Sequence, residues 1–384
     1  MAKITVKKGN KTYRGTSGKD TIEIVVNSGN KTNILALGGN DTIKVRGGSD
    51  HTIDAGAGSD KLYLYAGKVK KATLGKGNDT VSVTGGTLKS VNLGAGTNKI
   101  TVTGGTVSSI TGGSGTDIIK VSQQKILNIN AGNGNDDITI NGIDNSYFSK
   151  VSTGTIRAGD GSDMITINKG GFYKIDASEG NDVVKITGGT SLVVGGSGKD
   201  KITISSKYAS VADGGTGNDK ITLSGKGYNS ALIGGNGNDT IIVKNTHTTD
   251  YFNVAEGNSG NDTYHVYSLN HNLFINNSPH LSADVDVLNI HCSLSEVSSL
   301  YYDPDYDALL INEHVVVGGV SSLSRIVVGG YEYTASEAKS AAYYVDTGNR
   351  IGEWINDYNT NLNKFAYGEE ISNELARRIG YKGK

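Results

Sequence analysis

A short loop, Gly-x-Gly-x-Asp, returns along this chain at a nearly fixed interval. It reads "GAGSD" from Gly56, "GSGTD" from Gly113 and "GNGND" from Gly132 and again from Gly235. Taking the last residue as a marker, the series is Asp20, Asp41, Asp60, Asp79, Asn98, Asp117, Asp136, Asp163, Asp182, Asp200, Asp219, Asp239 and Asp262. Most steps are 19 residues, and one step of 27, from Asp136 to Asp163, places an insertion around residues 143–155. A period this short constrains the fold strongly. One repeat cannot bury an apolar face by itself, so copies must stack on each other.

The register within a repeat says what is stacked. A glycine stands two residues before every marker, from Gly18 to Gly260, which points to positive φ or close backbone approach. Two and four residues after the marker the chain is apolar, as in Val81/Val83, Ile100/Val102, Ile138/Ile140 and Ile221/Leu223, with Ser82, Thr101, Thr139 and Thr222 between. That period of two marks a strand with one buried face. A second turn follows, often Gly-Gly, as at Gly85-Gly86 and Gly104-Gly105. A returning strand then places Ile129/Ala131 or Ile175/Ala177 seven and five residues before the next marker. The predicted fold is all-β, a parallel β-roll or solenoid of about 13 coils. Each coil is strand, plain glycine turn, strand, Gly-x-Gly-x-Asp turn.

Tight turns account for the glycines but not for Asp in twelve of thirteen copies. Coils stacked about 4.8 Å apart would align these carboxylates, and like charges so close repel. A hard dication between successive loops removes that penalty, and Ca2+ accepts about six to eight oxygens in forgiving geometry. The alternative is a metal-free solenoid whose aspartates only cap turns.

"GGSGTDIIK" (Gly112–Lys120), "GGTGNDKIT" (Gly214–Thr222) and "GGNGNDTII" (Gly234–Ile242) resemble the calcium-binding nonapeptide of RTX proteins. The resemblance spans about Gly15 to Asp262 and implies a β-roll with calcium between neighbouring loops. It implies carboxylate ligands at Asp60, Asp79, Asp117, Asp136, Asp163, Asp182, Asp200, Asp219 and Asp239, with Gly113, Gly115, Gly215, Gly217, Gly235 and Gly237 shaping the loops. Asp20, Asp41 and Asp262 are expected to be weaker, because Thr16, Leu37 and Asn258 replace the second glycine; Asn98 interrupts the column. The usual family roll carries two nonapeptides per coil. Here the alternate turn lacks a regular Asp, so a single calcium column along one edge is expected.

The remaining sequence bounds the function. A formal net charge of −1 supplies no field for nucleic acid or anionic lipid. The single Cys292 excludes an internal disulfide. No apolar run approaches the roughly 20 residues of a membrane span, and "MAKITVKKGNKTY" has no apolar core of a signal peptide. The family resemblance implies instead an uncleaved C-terminal address read by a type I transporter, hence an extracellular protein. Three segments are expected: a repeat domain over 1–263, a C-terminal β cap over 264–338 and a small helical tail over 339–384. In the tail, Ile371, Leu375 and Ile379 share one helical face between Glu369/Glu370 and Arg377/Arg378.

No His-Glu-x-x-His, Gly-x-Ser-x-Gly or phosphate-loop motif occurs, so no enzyme is expected. The seven histidines show no metal-ligand spacing. The outward column three residues after each marker runs Glu23, Lys44, Tyr63, Ser82, Thr101, Lys120. It is too interrupted for an ice-like or crystalline lattice. The expected function is therefore a calcium-stabilised structural or adhesive roll. The alternatives are a glycan- or partner-binding module using Tyr301, Tyr302, Tyr306, Tyr331, Tyr333, Tyr343 and Tyr344, or an enzyme with a site in 264–384, where Glu296, Asp303, Asp305 and Asp307 cluster.

Overall fold

The computed structural model describes residues 2–27, 29–122, 128–142, 154–169, 172–189, 191–206, 210–225, 230–245, 252–277 and 284–344. The chain is an all-β parallel β-solenoid of about 12 turns, with a period of about 19 residues and a short helix near its C-terminal end. It divides into two compact units, Met1–Val183 and Val184–Lys384. Among the described residues no helix is long and apolar enough to cross a membrane.

In the first unit a strand follows each marker. Thr80–Val83, Lys99–Val102, Ile118–Val121 and Asp137–Ile140 are successive examples. They pair in parallel, each residue opposite its equivalent one repeat away: Val81 beside Ile100, Ile100 beside Ile119, Ile119 beside Ile138. These four side chains are completely buried, and burial of each stabilises by about 1.5–3 kcal/mol. The returning strands Thr106–Ser114, Asn128–Asn133 and Thr155–Asp160 form the opposite sheet, with Ile110, Ile129 and Ile156 in one inward row. In Asn128–Asn133 and Thr155–Asp160 the first four residues alternate exposed and buried. Asp137 pairs with Met164 and Ile129 with Ile156, so both sheets absorb the 27-residue step without losing register.

The second unit repeats the plan with Lys201–Ile204, Lys220–Gly225, Thr240–Asn245 and Thr263–Val266. Parallel pairing runs on beyond residue 263: Tyr264 lies beside Leu288, and Leu288 beside Ile326. The segment expected as a cap therefore opens with further turns of the solenoid. Asp286 stands at the marker position without a Gly-x-Gly before it. The ladder then gives way to antiparallel pairs, Leu300–Asp303 with Ala308–Ile311, Ala308–Ile311 with Val315–Gly318, and Leu323–Val328 with Tyr331–Tyr333. Folding the last strands back in this way shields the edge of the sheet. The helix Ala335–Ala341 starts on a capping box of Thr334 and Glu337. Lys339 of that helix bonds Asp307 at 2.7 Å, fastening it to the Ala308–Ile311 hairpin. Residues 345–384, on which the rest of the expected helical tail and the expected export address fall, lie outside the described residues.

The returning strands of the second unit differ from those of the first. In Val211–Thr216 and Ala231–Asn236 the first four residues are all buried. Besides the inward row, Leu192, Val211, Ala231, Ile233 and Val254 build a second apolar cluster with Phe274 against it.

Candidate metal centre

The loop glycines hold adjacent turns at contact distance. Gly115 has φ 103°, and a Cβ there would stand 2.6 Å from the Gly96 carbonyl oxygen of the preceding coil. Gly214, five residues before its marker, backs directly onto the Asp219 carboxylate. Such a backbone carries the markers inward. Asp41, Asp60, Asp79, Asp117, Asp136 and Asp163 in the first unit are at most 2% exposed, as are Asp182 there and Asp200, Asp219, Asp239 and Asp262 in the second.

Most marker carboxylates divide their two oxygens. Oδ1 accepts the backbone N–H of the marker one coil earlier: Asp41 N–H to Asp60 at 2.7 Å, Asp117 to Asp136 at 2.7 Å, Asp219 to Asp239 at 2.7 Å, Asp262 to Asp286 at 2.7 Å. The Oδ2 atoms of Asp41, Asp60, Asp79, Asp117, Asp136, Asp163, Asp219, Asp239 and Asp262 are buried with no hydrogen-bond donor. An ionised oxygen in that position is costly unless something positive meets it. Burial pushes the carboxyls of Asp60, Asp117, Asp163 and Asp239 up to about 7 and that of Asp262 up to about 8, and neighbouring carboxylates add to the rise.

Asn98 shows what the position demands. Its Oδ1 accepts from Asp79 N–H at 2.9 Å, as an aspartate would, while Nδ2 donates to the Gly96 carbonyl at 3.2 Å. The amide thus supplies the donor that an aspartate at the same place lacks. Asp20 is served differently. Its carboxylate accepts Thr16 N–H at 2.6 Å and the Thr16 hydroxyl at 3.0 Å, with Ala2 N–H a further donor. The Thr16 backbone bond is the main reason its carboxyl lies below the ordinary range.

The sequence groups Asp20, Asp41 and Asp262 together, but the structure separates them. Leu37 and Asn258 take the left-handed conformation of the glycine they replace, with φ 81° and 73°, and leave Asp41 and Asp262 like the other markers. Ser178, ahead of Asp182, does the same at φ 82°, a substitution the motif reading passed over. Thr16 instead turns its own donors onto Asp20.

The donor set is all hard oxygen, which suits Ca2+ and not a nitrogen- or sulfur-seeking metal. Among the described residues no three His, Cys, Asp or Glu side chains converge on one point. A cation at these loops would therefore take one or two carboxylate oxygens and draw the rest from the backbone carbonyls and solvent.

A second ladder, unseen in the sequence reading, lines the exposed side of the same loops. The residue just before each marker is commonly Asn or Ser, and its side-chain oxygen accepts the N–H of its equivalent one coil later. Ser59 N–H bonds Asn40 at 2.8 Å, Thr97 bonds Asn78 at 2.9 Å, Asn238 bonds Asn218 at 2.9 Å and Asn261 bonds Asn238 at 2.9 Å. The recurrent Asn or Ser was the available signal.

The C-terminal candidates disperse. Asp307 accepts from Lys339, Ser321 and Tyr302, Glu296 caps Ser293, and Asp303 is buried and holds Asp305 N–H at 3.0 Å. Tyr301 leans on the Ala308–Leu310–Val316 cluster and Tyr302 lies under Lys339, whereas Tyr331 is 63% exposed. Two histidines do meet: His265 and His291, on adjacent outer-face positions, come within 2.8 Å.

No family model and no curated protein matches the chain. Among solved structures, it is similar to a hyperactive, Ca2+-dependent, β-helical antifreeze protein from an Antarctic bacterium. The two share 20% identity and a TM-score of 0.57, over 87% of this chain and 94% of that one. At that identity the likeness establishes the β-helical fold.

Proposed function

We propose that this chain is an RTX-like, calcium-binding β-solenoid, secreted and structural or adhesive in role. The observation that carries the reading is the row of buried Oδ2 atoms with no donor. Asp60, Asp79, Asp117, Asp136, Asp163, Asp219 and Asp239, with Asp41 and Asp262, would hold the ions. Asp182 and Asp200 belong to the same set by position. Bound calcium supplies the positive charge that these buried oxygens require. The protein's part is to fix the carboxylates by their Oδ1 bonds, to keep water from them, and to turn loop carbonyls toward them through glycine. The calcium dependence named for the similar antifreeze protein supports the metal. Its antifreeze activity is not carried over, because Glu23, Lys44 and Tyr63 break the outward column. No catalytic function is assigned, and export by a type I transporter rests on the sequence resemblance.

Chelation tests the metal. The melting temperature read by far-ultraviolet circular dichroism should fall with a chelator and recover with Ca2+ but not Mg2+. Asp136→Asn should lose calcium response locally while keeping the metal-free fold, as Asn98 already does. Indifference of the wild type to chelator would sink the reading, leaving the aspartates as turn caps.

A further inference from the structure

We propose that His265 and His291 form a two-imidazole site for a borderline divalent transition metal, of the Zn2+, Ni2+ or Cu2+ class, separate from the carboxylate loops. The two residues are 26 apart in sequence, and no motif spacing connects them. The solenoid does. Thr263–Val266 pairs with Asp286–Ile290 so that His265 lies beside Asn289, and His291 N–H bonds the Val266 carbonyl at 2.8 Å. His291 therefore stands beside Tyr267 and diagonal to His265 on the outer face. His265 Nδ1 and His291 Nε2 are 2.8 Å apart.

That separation is close to what a shared ion needs. Two nitrogens at about 2.0–2.1 Å from one tetrahedral metal stand roughly 3.3 Å from each other, so the rings need open by only about half an ångström. One ring is already held: His291 stacks on Tyr267 with centroids 4.1 Å apart and planes 9° apart, and Lys244 lies 4.8 Å over Tyr267. His291 is exposed and His265 half-buried, which leaves coordination positions open to solvent. Imidazole nitrogen suits this class of metal, whereas calcium prefers oxygen.

In the hydrogen-bonded pair one of the two facing nitrogens carries a hydrogen. Binding needs a lone pair on both, so that hydrogen moves to the other nitrogen of the same ring and no charge changes. Burial, with help from His291, Lys220 and Lys244, holds His265 below the usual imidazole range, so the neutral ring prevails near neutral pH. The same lysines oppose a bare dication and favour an ion carrying an anionic co-ligand such as chloride or a carboxylate. Among the described residues no third His, Cys, Asp or Glu joins the pair. Water or that anion completes the shell, and exchange should be ready.

The test is zinc titration of the full chain by calorimetry near neutral pH, in excess Ca2+ so that the carboxylates are occupied by calcium. Wild type should take up zinc saturably, and His265→Ala and His291→Ala should each weaken it roughly tenfold or more, since breaking a chelate forfeits effective concentration. His291→Gln, which keeps bulk and polarity on the outer face, should weaken zinc equally while leaving calcium-dependent folding unchanged. Cu2+ paramagnetic resonance should lose one nitrogen donor in either variant. No saturable zinc in the wild type, or zinc affinity unchanged in the variants, would overturn the proposal and leave the pair a surface hydrogen bond. Neither result bears on the calcium reading, because calcium is present throughout.

Discussion

The returning strands of the two units use the same repeat for opposite surfaces. In two strands of the first unit Asn128, Asn130, Thr155 and Arg157 face solvent, and the inner position five before the marker is filled by Ala131 and Ala158, although Gly112 holds it one coil earlier. In the second unit the inner position is Gly195, Gly214, Gly234 or Gly257, while Val211, Ala231, Ile233 and Val254 carry apolar bulk on the other face. A parallel sheet covered on both sides reads as a continuous apolar run, and one covered on a single side as alternation. The marker turn and the apolar residue seven before it, as Ile129, Ile156, Ala212 and Leu232, are the invariant part of the design. The outer face is free to vary coil by coil.

The largest expected effect comes from exchanging those outer faces. Val211→Lys, between the apolar Leu192 and Ala231 of the neighbouring coils, places an uncompensated charge in the second cluster and should cost roughly 3–5 kcal/mol. Ser109→Lys, at the same place in the first unit between Ser90 and Asn128, should stay within about 0.5 kcal/mol. Denaturant unfolding in calcium, read unit by unit through hydrogen exchange, measures both. Equal effects would erase the distinction.

The inner position gives a middle-sized contrast. In Gly214→Ala the new methyl meets the Asp219 carboxylate and the Gly234 carbonyl oxygen, an overpacking worth about 1–3 kcal/mol. Weaker calcium binding should accompany it. Ala131→Gly removes a methyl from a coil whose loop already accommodates one, and should cost about 0.5–1 kcal/mol. Its calcium midpoint should not move. Calcium titrations of the two variants side by side decide between these outcomes.

The smallest difference is in pH dependence without metal. A buried carboxyl raised above its unfolded value of about 3.9 takes up its proton more readily in the folded state. Its stabilisation is full below that value and is lost as pH rises through the folded one. For Asp60, Asp117 and Asp163 in the first unit and Asp239 in the second that loss proceeds up to about 7, and for Asp262 in the second up to about 8. Metal-free protein should therefore melt lower as pH rises from mildly acidic to mildly alkaline, with the decline in the second unit continuing to slightly higher pH. Asp20, with its lowered carboxyl, works in the opposite direction at acid pH. Saturating calcium should flatten the dependence, and a melting temperature that rises with pH in chelator would contradict it.

The period, the inward rows and the marker turn were legible in the sequence because they recur in nearly every coil. The outer face was legible only in part. "SALIGG" and "SLVVGG" are continuous apolar runs that a search for alternation reads as half-buried. Asp20 looked like Asp41 because only glycine was counted, and the donors of Thr16 depend on its side chain turning inward. His265 and His291 could not be paired from spacing. In a solenoid the neighbour of a residue lies one coil away, and that coil has its own length. Asp286 likewise continues the column without the glycines that announce the others.

The bonds between markers also give the stack a direction. Within each unit the amide of a marker is completed by the side-chain oxygen of the marker that follows, as Asp41 by Asp60 in the first and Asp262 by Asp286 in the second. A coil at the C-terminal boundary of an ordered stretch is thus left with a buried N–H seeking an acceptor, and one at the N-terminal boundary only with a carboxylate that water can reach. The two frontiers are unequal. Parting two coils therefore leaves a different group on each side, an N–H without its acceptor upstream and a carboxylate without its donor downstream.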